Sequence, residues 1–487
     1  MKSLNEILAK VVLGRVSGSL ELEVAGIVMD SRLVKPGFLF VAVAGTLTDG
    51  HQFIEKAIEN GAVAIVFAAD GIETDQRLTW IKVSDSAEAL GLIAGNWFGN
   101  PSRDLTLVAV TGTNGKTTVA TLLYQLFMDL GYQVGLLSTV ENKIGEEIIP
   151  ATHTTPDAIS LNELLAKMKA AGCSHVFMEA SSHAIHQRRI AGLTFKGAIF
   201  SNISHDHLDY HGSFENYIYA KKMLFDGLSG SSFSLVNVDD KRGKVMVQNT
   251  ASKIQTYSLQ TGANFRGKVL SNTLEGLHME MNGKEVWFRL VGDFNAYNLV
   301  AVFGAAILLG ENEDEVLLAL SALNPVRGRF ERILLKNGAV SIIDYAHTPD
   351  ALVNVLETIK SMQIPGESLI TVVGCGGNRD KTKRSVMAEV ASRLSTQVIL
   401  TSDNPRNEDP KAIIQEMMDG VPLGSRRKVA IIEDREAAIR EAIAMTKASD
   451  VVLIAGKGHE TYQEIQGVKY PFDDREKVLE TQKPIFN

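Results

Sequence analysis

An α/β architecture in about three domains is what this 487-residue sequence predicts, and three observations carry the prediction. Short apolar strands alternate with helical segments along the chain, as in sheets flanked by helices. An apolar run at 105–110 (LTLVAV) leads into the glycine-containing octapeptide 111–118 (TGTNGKTT). Beyond it Val119, Leu122, Leu123, Leu126 and Phe127 share one helical face. Several later strands end directly in polar residues, where open α/β sheets collect ligands.

Composition narrows the function classes. With 45% hydrophobic and 22% charged residues the chain reads as an ordinary soluble protein. A net charge of −8 argues against nucleic acid as the main partner, because phosphate neutralisation needs a basic surface. Cys173 and Cys375 are the two cysteines, far apart and without metal-ligand spacing, so a reduced, cytoplasmic protein is expected. The start, MKSLNEILAKVVLG, carries Glu6 and Lys10 and does not read as a signal peptide. No run approaches the roughly 20 apolar residues of a membrane span, and no membrane partner is expected.

In order, 37–43 and 62–67 read as buried strands with helical residues 54–58 between them, and the turn-rich segment 99–103 (GNPSR) closes this first block. The strand–loop–helix unit at 105–127 is a phosphate cradle. Loop N–H groups and the positive helix end favour phosphate oxygens, Lys116 reaches the terminal phosphates, and the Thr117 hydroxyl suits Mg²⁺. The common form of this loop has a glycine five residues before Gly115, where this chain has Val110.

The second block adds strands 176–178, running into Glu179, and 198–200, running into SNISHDH (201–207). A carboxylate at a strand end beside a phosphate loop is where a Mg²⁺ ligand is expected, although a strand-end Glu can equally be only a polar terminus. HDHLDYH (205–211) invites zinc, but no cysteine is near and an oxygen-rich nucleotide site calls for Mg²⁺. In the third block 369–373, 397–401 and 451–454 lead into GCGGNR, SDNPR and GKGHE. Loops at these strand ends should meet in one crevice holding carboxylates and guanidinium groups, which suits a zwitterion such as an amino acid. GCGGNR does not fit the dinucleotide pattern G-x-G-x-x-G.

The loop 111–118, NISHDHLDYH (202–211), Tyr219-Ala220-Lys221, GDFNAYN (292–298) and GKGHE (456–460) together resemble the Mur ligases, ATP-dependent amide-forming enzymes of bacterial peptidoglycan synthesis. The match spans the chain in motif order. The resemblance implies three α/β domains: a small UDP-sugar-binding domain (1–100), a central P-loop-type ATP-binding domain with a mostly parallel sheet (101–328), and a Rossmann-like amino-acid-binding domain (329–487). Within the family the chain looks like the branch that adds the third amino acid. Asp403, Asn404, Pro405 and Arg406 match the loop of enzymes that add meso-diaminopimelate; lysine-adding enzymes lack the arginine. Physically, Arg406 can fork onto the second carboxylate of diaminopimelate, and lysine would leave it unpaired.

The implied substrates are UDP-N-acetylmuramoyl-L-alanyl-D-glutamate and meso-diaminopimelate, with ATP and Mg²⁺ as cofactors, and a monomer is expected. By the same resemblance Gly112, Thr113, Asn114, Gly115, Lys116, Thr117 and Thr118 hold ATP phosphates, and Asn295 and Asn298 lie on the adenine side. Arg329 and Asp344 contact ATP as the domains close. Thr117 and Glu179 would hold one metal, and His207 with Lys221, carbamylated in the family, a second. Lys116, Glu179, His207 and Lys221 are the implied catalytic set; Lys222 competes for the role of Lys221, and either lysine could be a solvated helix residue. Met29 and Ser31 match the uridine contact, and Thr154, Thr155, Ser181, Gln187 and Arg189 the muramoyl-dipeptide contacts. Ser181 also suits a helix cap. Arg379, Gly456 and Glu460 join the Asp-Asn-Pro-Arg loop, with Glu460 pairing an ammonium and Arg379 a carboxylate. A lysine-adding ligase, a folylpolyglutamate synthetase-like ligase and a non-catalytic nucleotide-binding module are the alternatives.

Overall fold

The computed structural model describes residues 1–45, 48–74, 77–150 and 154–482. Contacts divide the chain into two compact units. One comprises Met1–Gly112, Leu123–Ser201 and Ser213–Thr256; the other comprises Thr113–Leu122, Asn202–Gly212 and the chain from Tyr257 onward.

The first unit opens with a five-stranded sheet built from β1 (Leu13–Ser17), β2 (Gly26–Val28), β3 (Phe38–Val41), β4 (Ala62–Phe67) and β5 (Thr79–Val83), in the order β1-β5-β4-β3-β2. Only β1 runs antiparallel to its neighbour. Alternation of side chains separates two faces. Leu39, Val41, Ala64 and Val66 pack with Leu90 and Ile93 of α1 (Ser86–Trp97), whereas Phe40, Ile65 and Trp80 pack with Ile54 and Ala57. Asp85 caps α1 by accepting from the N–H groups of Ala87 and Glu88.

A second sheet in this unit uses β6 (Thr106–Thr111), β7 (Val134–Leu137), β8 (Asn142–Ile144), β9 (Glu147–Ile149), β10 (His175–Glu179), β11 (Gly197–Phe200), β12 (Phe233–Asn237) and β13 (Lys253–Ser258). Their order is β9-β8-β7-β10-β6-β11-β12-β13. The core strands β7, β10, β6, β11 and β12 are parallel. Between β6 and β7 runs α2 (Lys116–Asp129), and the five apolar residues predicted for its inner face are all fully buried. Register places Glu179 beside Val110 and Phe200 beside Thr111, so three neighbouring strands end at one level. Val110 is a buried strand residue, which explains why no glycine is needed there.

In the second unit β14 (Phe265–Thr273), β15 (Gly276–Met281) and β16 (Lys284–Phe288) form an antiparallel meander, followed by α3 (Asp293–Leu309). A six-stranded sheet then forms from β17 (Glu331–Leu334), β18 (Val340–Asp344), β19 (Leu369–Val373), β20 (Gln397–Leu400), β21 (Val429–Ile431) and β22 (Val451–Ala455). The order is β17-β18-β22-β19-β20-β21, parallel except for β17. Asp344, Ala455, Val373 and Leu400 lie in one row of this register. The loops that follow them, including the three predicted to meet, therefore leave from one edge. A hairpin of β23 (Tyr462–Ile465) and β24 (Val468–Pro471) follows.

Candidate active site

In the first unit the strand ends are already wired to the predicted substrate residues. Glu179 is the last residue of β10 and only 1% exposed. Its Oε1 accepts the Thr139 N–H at 2.7 Å, while Oε2 is buried with no hydrogen-bond partner among the described residues. The Thr155 hydroxyl donates to the Glu179 carbonyl (2.8 Å) and accepts from the Ser181 N–H (3.3 Å). Arg189 donates to the Thr155 carbonyl (2.9 Å) and, through Nε and Nη2, to Gln187 Oε1 (3.0 and 2.7 Å). Thr154 accepts from the Thr139 hydroxyl at 3.0 Å. Thr154, Thr155, Ser181, Gln187 and Arg189 thus form one connected group with Glu179. Ser181 also caps the short helix Ser182–His186, accepting from Ala184, so cap and contact coexist.

Both lysines of the YAKK segment, in α4 (Phe214–Asp226), are buried, and their partners tell them apart. Lys221 donates to the Gly112 carbonyl at 2.8 Å, at the start of the phosphate loop, with its ammonium 4.7 Å from the Tyr217 ring centre. Lys222 pairs with Asp226 one helical turn on. Ser31 begins a 3₁₀ turn capped by Asp30, and its carbonyl accepts from Asn60; Met29 is exposed.

The second unit holds the rest of the phosphate loop. Gly115 has φ +87°, which a glycine supplies without strain, and α2 begins at the next residue. Asn202 brackets the loop: its Oδ1 accepts the Asn114 N–H (2.9 Å), its carbonyl accepts the Thr113 N–H (2.8 Å), and its Nδ2 donates to the Asn114 carbonyl (3.2 Å). The Thr113 hydroxyl accepts from the Ser204 N–H, and Lys116 donates to the Thr113 carbonyl at 2.8 Å. His207 sits at φ +54° with its ring 41% exposed, Nε2 3.4 Å from Asp206. Burial opposes the Asp206 anion, but His207, His347 and Lys116 outweigh it and hold Asp206 below its ordinary range.

Arg329 donates to the Thr117 hydroxyl at 3.1 Å and lies 4.5 Å from the Tyr345 ring centre. Asp344 accepts the Phe330 N–H at 2.7 Å; burial pushes it up to about 6, against the pull of Arg329 and of the Phe330 and Ala346 N–H groups. Asn295 donates to the Val291 carbonyl and accepts from Asn298, so these buried amides satisfy one another and the backbone.

The Asp403-Asn404-Pro405-Arg406 segment is no surface turn: Asp403 and Asn404 are buried. Asn404 Nδ2 donates to Glu460 Oε2 at 2.7 Å. Arg406 takes φ +51° and donates through Nη1 to the Gly377 carbonyl (2.9 Å), with Nε 3.3 Å from Glu464. Its backbone N–H donates to the Glu464 carbonyl and its carbonyl accepts from Gln466 N–H, tying the loop to the hairpin. Gly456 (φ +114°) faces Asp403 so closely that a Cβ would lie 2.7 Å from Oδ2. Arg379 is exposed on the neighbouring loop. Thr139, Asn202 and Lys457 join the site without a role that sequence patterns give them. Asn202 and Lys457 lie inside motifs that point to the site, whereas Thr139, which meets Glu179 through its backbone N–H and Thr154 through its hydroxyl, lies in no such motif.

Residues 110–306 match the Mur ligase middle domain, residues 328–458 the glutamate ligase domain of Mur ligases, and residues 23–97 the Mur ligase family catalytic domain. The chain belongs to the Mur ligase family. Among Mur ligases it is 56% identical over 473 residues (97% of each chain) to the UDP-N-acetylmuramoyl-L-alanyl-D-glutamate--2,6-diaminopimelate ligase of Cytophaga hutchinsonii. It is 52% identical to the Bacteroides fragilis enzyme of that name, over 98% of each chain. A solved structure of a ligase with this name superposes with a TM-score of 0.69 at 33% identity, covering 99% of this chain and 98% of that one. The MurF ligase of Thermotoga maritima in complex with ADP (TM-score 0.60, 22% identity, 93% and 96% covered) shares the Mur ligase fold. So does a folylpolyglutamate synthase from the same organism, with a TM-score of 0.59, 18% identity, and coverage of 76% of this chain and 90% of that one. Among the described residues no helix is long and apolar enough to cross a membrane.

Proposed function

We propose that this Mur ligase joins meso-diaminopimelate to the D-glutamyl carboxylate of UDP-N-acetylmuramoyl-L-alanyl-D-glutamate, with ATP as the phosphoryl donor. The observation that carries the amino acid is the buried Asp-Asn-Pro-Arg loop, whose Asn404 donates to Glu460 and whose Arg406 donates to the Gly377 carbonyl. Full-length identity to ligases of that name supports the same reading.

A carboxylate resists attack by an amine, so it is activated as an acyl phosphate. The amine then adds, and inorganic phosphate leaves from the tetrahedral intermediate. Phosphoryl transfer between anions depends on alignment and charge neutralisation. The N–H groups of Gly112, Thr113, Asn114 and Gly115, the Lys116 ammonium and the Thr117 and Thr118 hydroxyls supply both around ATP. Asn295, Asn298, Arg329 and Asp344 complete its contacts. Arg329, which donates to the Thr117 hydroxyl in this structure, would turn to the terminal phosphate.

The orphaned Oε2 of Glu179 fits a hard cation, as does the oxygen chemistry of its neighbours. Thr117 and Glu179 would hold one Mg²⁺, and His207 with carbamylated Lys221 a second. Bound Mg²⁺ supplies charge neutralisation of phosphate oxygens. Carbamylation turns the buried Lys221 cation into an anionic ligand. Lys221→Ala should abolish activity and recover in part with short carboxylic acids; full activity without them would refute the assignment. Met29, Ser31, Thr154, Thr155, Ser181, Gln187 and Arg189 hold the nucleotide-sugar dipeptide. Arg379, Asp403, Asn404, Pro405, Arg406, Gly456 and Glu460 hold the amino acid. Domain limits at 1–100, 101–328 and 329–487, a cytoplasmic setting and a monomeric state complete the proposal. The buried, unpaired Cys173 and Cys375 support a reducing compartment, and sedimentation equilibrium tests the monomer.

The deciding experiment is phosphate release with the UDP-muramoyl dipeptide and a panel of diamino acids. Meso-diaminopimelate should give the highest kcat/KM; a preference for L-lysine would overturn the substrate.

A further inference from the structure

Lys457, between Gly456 and Gly458 in the loop after β22, is completely buried. Its ammonium donates to Asn404 Oδ1 (3.2 Å), to Glu460 Oε2 (3.0 Å) and to the Tyr462 carbonyl, which uses all three of its protons. Two of these acceptors belong to residues proposed to hold the incoming amino acid. Lys457 orients both. With Oδ1 accepting from Lys457 and from the Glu464 N–H (2.9 Å), the Asn404 amide must turn Nδ2 toward Glu460 Oε2, where it donates at 2.7 Å. Glu460 Oε2 is therefore engaged twice, whereas among the described residues Oε1 has only the Tyr345 hydroxyl at 3.5 Å. The ammonium also acts on Asp403: burial opposes that anion, and Lys457, with Arg435 and Arg406, holds it below the ordinary carboxylate range.

We propose that Lys457 is the positioning residue for diamino-acid selectivity. By locking Asn404 and Glu460 it leaves one carboxylate oxygen, Glu460 Oε1, for the substrate ammonium, and it does so through the loop that also carries Arg406. That pairing matches an ammonium and a carboxylate on one carbon, as at the far end of meso-diaminopimelate. L-lysine, with an ammonium alone, offers the Arg406 guanidinium no carboxylate, and the locked Glu460 cannot swing to compensate. The inference rests on the proposed function.

The test is phosphate release by wild type, Lys457→Met, Lys457→Gln and Lys457→Arg, each with meso-diaminopimelate and with L-lysine. In Lys457→Met the KM for diaminopimelate should rise roughly ten- to hundredfold, and the diaminopimelate-to-lysine ratio of kcat/KM should fall by about tenfold or more. KM values for ATP and the UDP-dipeptide should stay unchanged, and Lys457→Arg should recover part of the ratio. A lower kcat with the ratio intact would make Lys457 a merely structural residue and overturn the inference. If Lys457→Met does not fold, Lys457→Gln against Lys457→Arg decides between the same two outcomes. A wild-type preference for L-lysine would instead overturn the reading beneath it, and the inference with it.

Discussion

Glu179 presents one carboxylate oxygen to a backbone N–H and buries the other without a partner among the described residues, an arrangement that a bound cation would relieve. Glu179→Gln should lower kcat roughly 10²–10³-fold in the phosphate-release assay. Its melting temperature without Mg²⁺ should hold or rise, since an uncompensated buried charge is removed. Arg406 makes a complementary case. Arg406→Lys keeps the charge but loses the fork, so kcat/KM for meso-diaminopimelate should fall roughly ten- to hundredfold while that for L-lysine changes little. Legibility was uneven at this scale. The type and place of Glu179 and Arg406 were readable because strand ends and a four-residue loop are local patterns. Lys221 and Lys222 were adjacent and chemically alike, and only the structure gives them different partners, the Gly112 carbonyl and Asp226.

Strand ends do most to bring the proposed amino-acid loops together. The row of Asp344, Ala455, Val373 and Leu400 sends four loops from one edge of the sheet, and the predicted strands 369–373, 397–401 and 451–454 match β19, β20 and β22 to within a residue. Gly377 shows how tightly the loops then pack: a Cβ there would lie 1.9 Å from the Pro405 carbonyl oxygen. Gly377→Ala should therefore push the loop away, costing about 1–3 kcal/mol of stability in chemical denaturation. The KM for the diamino acid should rise without a matching change for ATP. The sequence brought these loops to one crevice, but the burial of Asp403 and Asn404 was not legible, because it depends on the hairpin of β23 and β24 donating to both residues.

Over the whole molecule, buried histidines set the acid response. Burial drives His347 down to about 4 and His459 to about 3, both from 6.5, so they stay neutral in the fold while the unfolded chain protonates them. The unfolded state binds the extra protons below pH 6.5, and stability drops as pH falls toward these values. Asp344 acts in the opposite sense: raised from 3.8 to about 6, it gives stability that is lost as pH rises through that range. Two histidines outweigh one aspartate. The melting temperature should decline between pH 7 and pH 5, with a shallower slope in His459→Gln; a flat profile in wild type would refute this balance. By itself the sequence determined the α/β class, the phosphate loop, the acidic strand end and the family, since each is written in local spacing and residue type. Tertiary structure alone decided which lysine meets the phosphate loop, that Arg329 rests on Thr117, and that Lys457 sits beneath Asn404 and Glu460. Except for Lys457 with Glu460, which share one motif, those contacts join residues that sequence spacing keeps apart, and burial alone determines which polar groups must find partners.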